Sequence, residues 1–146
     1  MAHAAPAVRT PAVPARTPDV FSEKTHRIAR WAVPVTVGLV YGYWVAANNR
    51  AGGPITGWNL LLGFVSTIVF AGLWMGVAAL APHMMRELHA VLWAAFAGCA
   101  FGFLFAQTGA SILHSVWMGA VIGATTFAVV FYRYYTHEDA EGHRIR

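Results

Sequence analysis

The chain has 146 residues, of which 58% are hydrophobic and only 11% charged, with a mean hydropathy of +0.52. A water-soluble domain usually carries about a quarter charged residues, so this composition excludes an ordinary soluble globule. The net charge of +4 invites a nucleic-acid reading, but the basic residues sit at the ends of apolar runs, where they orient a membrane chain instead; no nucleic-acid partner is expected.

Residues 1–21 are rich in Pro, Ala and Arg, with prolines at 6, 11, 14 and 18. Such a segment cannot bury a core and is expected to be a disordered tail. It lacks the apolar stretch of a secretory signal peptide, so the first membrane helix is expected to serve as its own targeting signal. Ser22 suits a helix N-cap, with Glu23 in the first turn where a negative charge meets the positive end of the helix dipole. Lys24, Arg27 and Arg30 then lie where the helix enters the membrane.

Four apolar stretches follow, Trp31–Ala47, Trp58–Leu80, His89–Ala106 and Ile112–Tyr132. Each approaches the roughly 20 residues that cross a ~30 Å hydrocarbon core. None alternates with period two, and lipid tolerates only helices or closed barrels, because every backbone polar group must be satisfied internally. The expectation is an all-α, integral membrane four-helix bundle spanning residues 22–135, followed by a polar C-terminal tail over 136–146. Pro34 lies inside the first helix and is either tolerated near its start or kinks it. Gly52, Gly53 and Pro54 break the chain into the first loop, and Pro82 ends the second helix. Of the ten Lys and Arg, Arg50 alone falls in the first loop and none in the third. The positive-inside rule therefore places both termini and the second loop in the cytoplasm. The Ala-, Pro- and Arg-rich tail fits a bacterial chain, so the expected setting is a bacterial plasma membrane, crossed several times.

Small residues recur at every fourth position, which puts them on one face of each helix. The third helix carries Ala90, Ala94, Gly98, Gly102 and Ala106; the first carries Gly38, Gly42 and Ala46. The second carries Asn59, Gly63, Thr67 and Ala71, with a separate Gly72–Gly76 pair, and the fourth carries Ser111, Ser115, Gly119 and Gly123. Such ridges let helix backbones approach closely in lipid, where van der Waals contact rather than the hydrophobic effect must hold helices together. The same motif, Gly-x-x-aromatic-Gly-aromatic-x-x-Ala, appears over Gly38–Ala46 and Gly98–Ala106, at an offset of 60 residues. The second and fourth helices align at an offset of 56, pairing Gly63 with Gly119. This spacing suggests two tandem helical hairpins, related by a pseudo-two-fold axis along the membrane normal because each unit has an even number of helices.

Groups capable of chemistry are scarce. Every Asp and Glu lies in a tail or in the second loop, so the intramembrane charge that ion-coupled transport needs is missing. No HExxH, clustered Cys/His or phosphate-binding glycine loop is present, so no metal, no cofactor and no catalytic residue is assigned. His83 and His89 are six apart and share no helical face. Cys99, the single cysteine, reads as a buried small apolar side chain. Asn48, Asn49, Gln107, Ser111, His114 and Ser115 gather at one end of the helices, with Thr125 and Thr126 deeper. They either terminate helices or line a pore mouth at an oligomer axis, since four closely packed small-residue helices leave no conduit inside one copy. The expected function is non-catalytic, through helix–helix association as a homo-oligomer or with another membrane subunit. The alternative is an oligomeric channel or facilitator; a lipid-handling role rests only on the basic inner rim.

Overall fold

The computed structural model describes residues 22–137. The expected tails, 1–21 and most of 136–146, lie outside the described residues. Among the described residues there are four α-helices and no strand: α1 Glu23–Arg50, α2 Gly57–Leu80, α3 Arg86–Ala106 and α4 Ile112–His137. A short 3-10 turn, Ala81–His83, joins α2 to α3. The helices alternate in direction, so one end of the molecule carries Glu23 and the 81–85 turn, here the near end. The far end carries the loops 51–56 and 107–111.

Local chemistry sets the boundaries. Ser22 caps α1, its side chain accepting from the Thr25 amide at 3.3 Å. The helix therefore begins eight residues before its apolar run and, at 1.5 Å per residue, is about 42 Å long. It continues through Pro34, which is buried on the same face as Gly38 and Gly42. It stops at Ala51, whose left-handed backbone (φ 48°) lets its amide reach the Asn48 carbonyl. α2 opens with a reciprocal capping box: Thr56 Oγ1 accepts from the Asn59 amide, while Asn59 Oδ1 accepts from the Thr56 amide, which satisfies two otherwise orphaned donors. Ser111 caps α4, accepting from the His114 amide. α4 runs to His137, past the expected boundary at 135.

Three helical segments, Gly57–Leu80, Glu87–Ala106 and Ile112–Arg133, are long and apolar enough to cross a membrane. α1 is not among them, because charged residues fill its first two turns and its apolar run Trp31–Ala47 is the shortest of the four. The fully enclosed core is thin: Val45, Ala71, Ala81 and Ala90 are its main apolar members. Large side chains such as Trp44, Phe64, Ile68, Leu113 and Trp117 point outward. This inside-out distribution suits a chain whose solvent is hydrocarbon, since contiguous apolar surface on this scale is rare on soluble monomers.

Packing divides the molecule into two hairpins. α1 packs along α2, and α3 along α4. The hairpins touch through α2 with α3 and, more sparsely, α1 with α3; α4 packs on α3 alone among the described residues. A two-fold axis relating the hairpins would put α4 beside α1, and among the described residues the two do not touch.

Candidate functional site

The small-residue ridges are where backbones meet. A Cβ added to Gly98 would lie 2.8 Å from the Gly119 carbonyl oxygen, and one added to Gly119 would lie 2.7 Å from that of Gly98. Gly102 faces the Ser115 carbonyl, and Gly123 faces that of Ala94, at 3.2 and 3.1 Å by the same measure. In the first hairpin a Cβ on Gly38 would meet the Thr67 carbonyl at 3.0 Å, and one on Gly42 would collide with Thr67 Oγ1 and the Gly63 carbonyl. The register repeats: Gly42 faces Gly63 as Gly102 faces Gly119, and Gly38 faces Thr67 as Gly98 faces Gly123. The offsets of 60 and 56 carry each contact of the first hairpin onto its counterpart in the second. The difference is local. Thr67, standing where the second hairpin has Gly123, folds its hydroxyl back onto the Gly63 carbonyl at 3.0 Å.

Gly72 and Gly76 have nothing in front of them, and Ala106 is exposed. The other eight named packing residues lie at a helix–helix contact, whereas these three face outward or line open surface. Cys99 corrects the expectation of a buried side chain. With Gly98 and Gly102 turned to α4, the residue one step on is rotated by about 100°, and Cys99 is exposed.

At the far end a chain of hydrogen bonds crosses three helices. Thr56 Oγ1 donates to Asn59 Oδ1 at 2.6 Å, Asn59 Nδ2 donates to Asn49 Oδ1 at 3.0 Å, and Asn49 Nδ2 donates to Gln107 Oε1 at 3.1 Å. Gln107 Nε2 in turn donates to the Phe103 carbonyl. Of the six residues grouped as a pore mouth, the structure joins Asn49 and Gln107. Asn48 contributes its carbonyl to the α1 terminus. Ser111 and Ser115 bond within the first turn of α4, Ser115 Oγ donating to the Ser111 carbonyl at 3.1 Å. His114 rests its ring on Phe105, with centroids 5.2 Å apart. Thr125 and Thr126 donate back to Val121 and Ile122 of their own helix.

Sequence reasoning missed Thr56 and Tyr41. The Thr-x-x-Asn spacing was a readable capping signal. Tyr41 carried no such cue, yet its hydroxyl donates to the Ala100 carbonyl at 2.7 Å and ties α1 to α3. Around it lies a ring cluster: Tyr41 stacks on Phe70, Phe70 meets Phe96 at 5.1 Å, and Trp74 meets Trp93 edge-on at 5.6 Å. Beside these rings an apolar cleft of about 530 Å³ opens between α2 and α3, bordered by Ser66, Leu73, Val77, Leu92 and Phe103. At the near end His89 Nδ1 lies 3.0 Å from the Ala81 carbonyl and His83 Nδ1 lies 3.1 Å from that of Ala79, bracing the turn. Among the described residues no three His, Cys, Asp or Glu side chains stand close enough to hold a metal ion.

These features define a helical protein of membrane type, built from two hairpins. No family model matches the chain, and neither a curated protein nor a solved structure shows significant similarity to it.

Proposed function

We propose that this is a small polytopic membrane protein with a non-catalytic role exercised through helix–helix association, as a homo-oligomer or as an accessory subunit of a membrane complex. All four helices cross the bilayer in this reading. α1 joins the three more apolar helices because it packs along α2 and turns Leu39, Tyr43 and Trp44 outward. Both ends face the cytoplasm of a bacterial plasma membrane, as the distribution of Lys and Arg suggests.

The observation that carries the proposal is that, among the described residues, α4 packs against α3 alone. The hairpins are read as two copies of one unit. A two-fold axis along the membrane normal would bring α4 against α1 just as α3 meets α2, and that contact is missing among the described residues. The face of α4 that the axis would cover is left for another chain. The competing reading, an oligomeric channel or facilitator, draws less support because Asn49 and Gln107 bond to each other.

The mass of the particle extracted in native lipid nanodiscs tests this. A homo-oligomer or a co-purifying membrane subunit is expected; a lone monomer, with no crosslinked species in intact membranes, overturns it. Liposome flux separates the competing role: flux abolished by Gln107→Ala would assign a channel.

A further inference from the structure

We propose that the two hairpins are rigid jaws hinged at the 81–85 turn, and that Tyr41 and the Asn49–Gln107 amide pair clasp them shut. The inference is independent of the oligomeric state.

Three observations lead to it. Inside each hairpin, glycine backbones lie against carbonyls so closely that helices cannot slide or part without collision or loss of contact. Between the hairpins the contact is sparse and leaves the apolar α2/α3 cleft. The connection itself is short: one 3-10 turn, then Met84 and Met85 in extended backbone (ψ 153° and 150°) before α3 begins. Two helices tied covalently at the near end separate most at the far end. α3 has 21 residues, so the far end lies about 30 Å from the joint at 1.5 Å per residue. Asn49–Gln107 sits there, at the longest lever arm.

The clasps differ in kind. The amide pair is exposed, so water can take over either partner when it parts, and neither group is stranded. Tyr41 lies near the middle of the apolar run Trp31–Ala47, which hydrocarbon surrounds if all four helices cross the bilayer as proposed, and parting then leaves its hydroxyl without a partner in a medium that offers none. Tyr41 therefore holds the closed state, and the amide pair fixes its register. Opening widens the cleft beside the ring cluster toward the surrounding lipid.

The test uses full-length protein in nanodiscs on a Cys99→Ser background, diluted with unlabelled protein so that only distances within one molecule are read. Spin labels at Arg50→Cys and Ile112→Cys report across the hairpins, and labels at Tyr43→Cys and Ile68→Cys report within the first. Adding Tyr41→Phe, which keeps the ring, or Asn49→Leu should give a new longer-distance population for the first pair and leave the second unchanged. An unchanged first pair in both variants overturns the hinge. Equal broadening of both pairs also overturns it, because the hairpins would then not be rigid bodies.

Discussion

The interface inside each hairpin and the interface between the hairpins solve the same problem by opposite means. Inside, side chains are removed until backbone meets backbone: Gly42 on Gly63, Gly98 on Gly119. Between, large rings and long polar groups reach across a gap, as Phe70 does to Phe96 and Tyr41 to Ala100, and a cleft remains. In lipid, association rests on packing and interhelical hydrogen bonds. A surface of glycines gains contact over its whole length but tolerates no added atom. A surface of rings and hydroxyls tolerates movement and concentrates its attachment in a few atoms.

Substitutions can break or sharpen that contrast. The largest effect is expected for Gly98→Leu, whose first added carbon already lies 2.8 Å from the Gly119 carbonyl; a loss of about 3 kcal/mol or more follows from overpacking, read by reversible unfolding in mixed micelles. Wild-type stability for that variant would mean that α3 and α4 do not meet through this ridge. Next comes a matched pair. Gly42→Ala should cost about 2 kcal/mol because its methyl group meets the Gly63 carbonyl. Gly72→Ala, with open space before it, should gain up to about 1 kcal/mol from helix propensity. Equal losses at the two sites would erase the distinction between used and unused ridges. Asn59→Ala removes the capping box and the bond to Asn49, for a loss of about 1–2 kcal/mol. Smallest is Tyr41→Phe, at about 0.6 kcal/mol, the average for an interhelical hydrogen bond in a membrane protein. Its small cost in stability beside a clear change in hairpin separation would distinguish a clasp from a packing residue.

Much of this contrast was legible in the sequence, but unevenly. Four-residue spacing predicted the ridges, because helix geometry is nearly fixed and a missing side chain has the same meaning in any context. The offsets of 60 and 56 related one hairpin to the other, but not which glycine faces which inside a hairpin. Spacing did not distinguish Gly72–Gly76, which faces open surface, from Gly119–Gly123, which faces α3, because both are the same motif and only the rotation of the whole helix decides between them. Cys99 was misplaced for the same reason. The far-end amides were found as a group, but their bonding was not: whether Asn49 meets water or Gln107 depends on where the first hairpin comes to rest against the second. Tyr41 was invisible because an aromatic residue in an apolar helix ordinarily needs no partner, and its hydroxyl acquires one only when α3 arrives. α1 shows the limit of composition, since its apolar run is the shortest while its contact with α2 is extensive.

The sequence separation of the bonds also implies an order of assembly. Each hairpin closes through contacts between helices adjacent in the chain, so it can form as soon as its second helix has been made. The Tyr41–Ala100 and Asn49–Gln107 bonds span 59 and 58 residues and must wait for α3. During synthesis the first hairpin therefore stands finished while its Tyr41 hydroxyl is still without Ala100. A newly made chain passes through a stage in which the Tyr41 hydroxyl marks the place where α3 belongs.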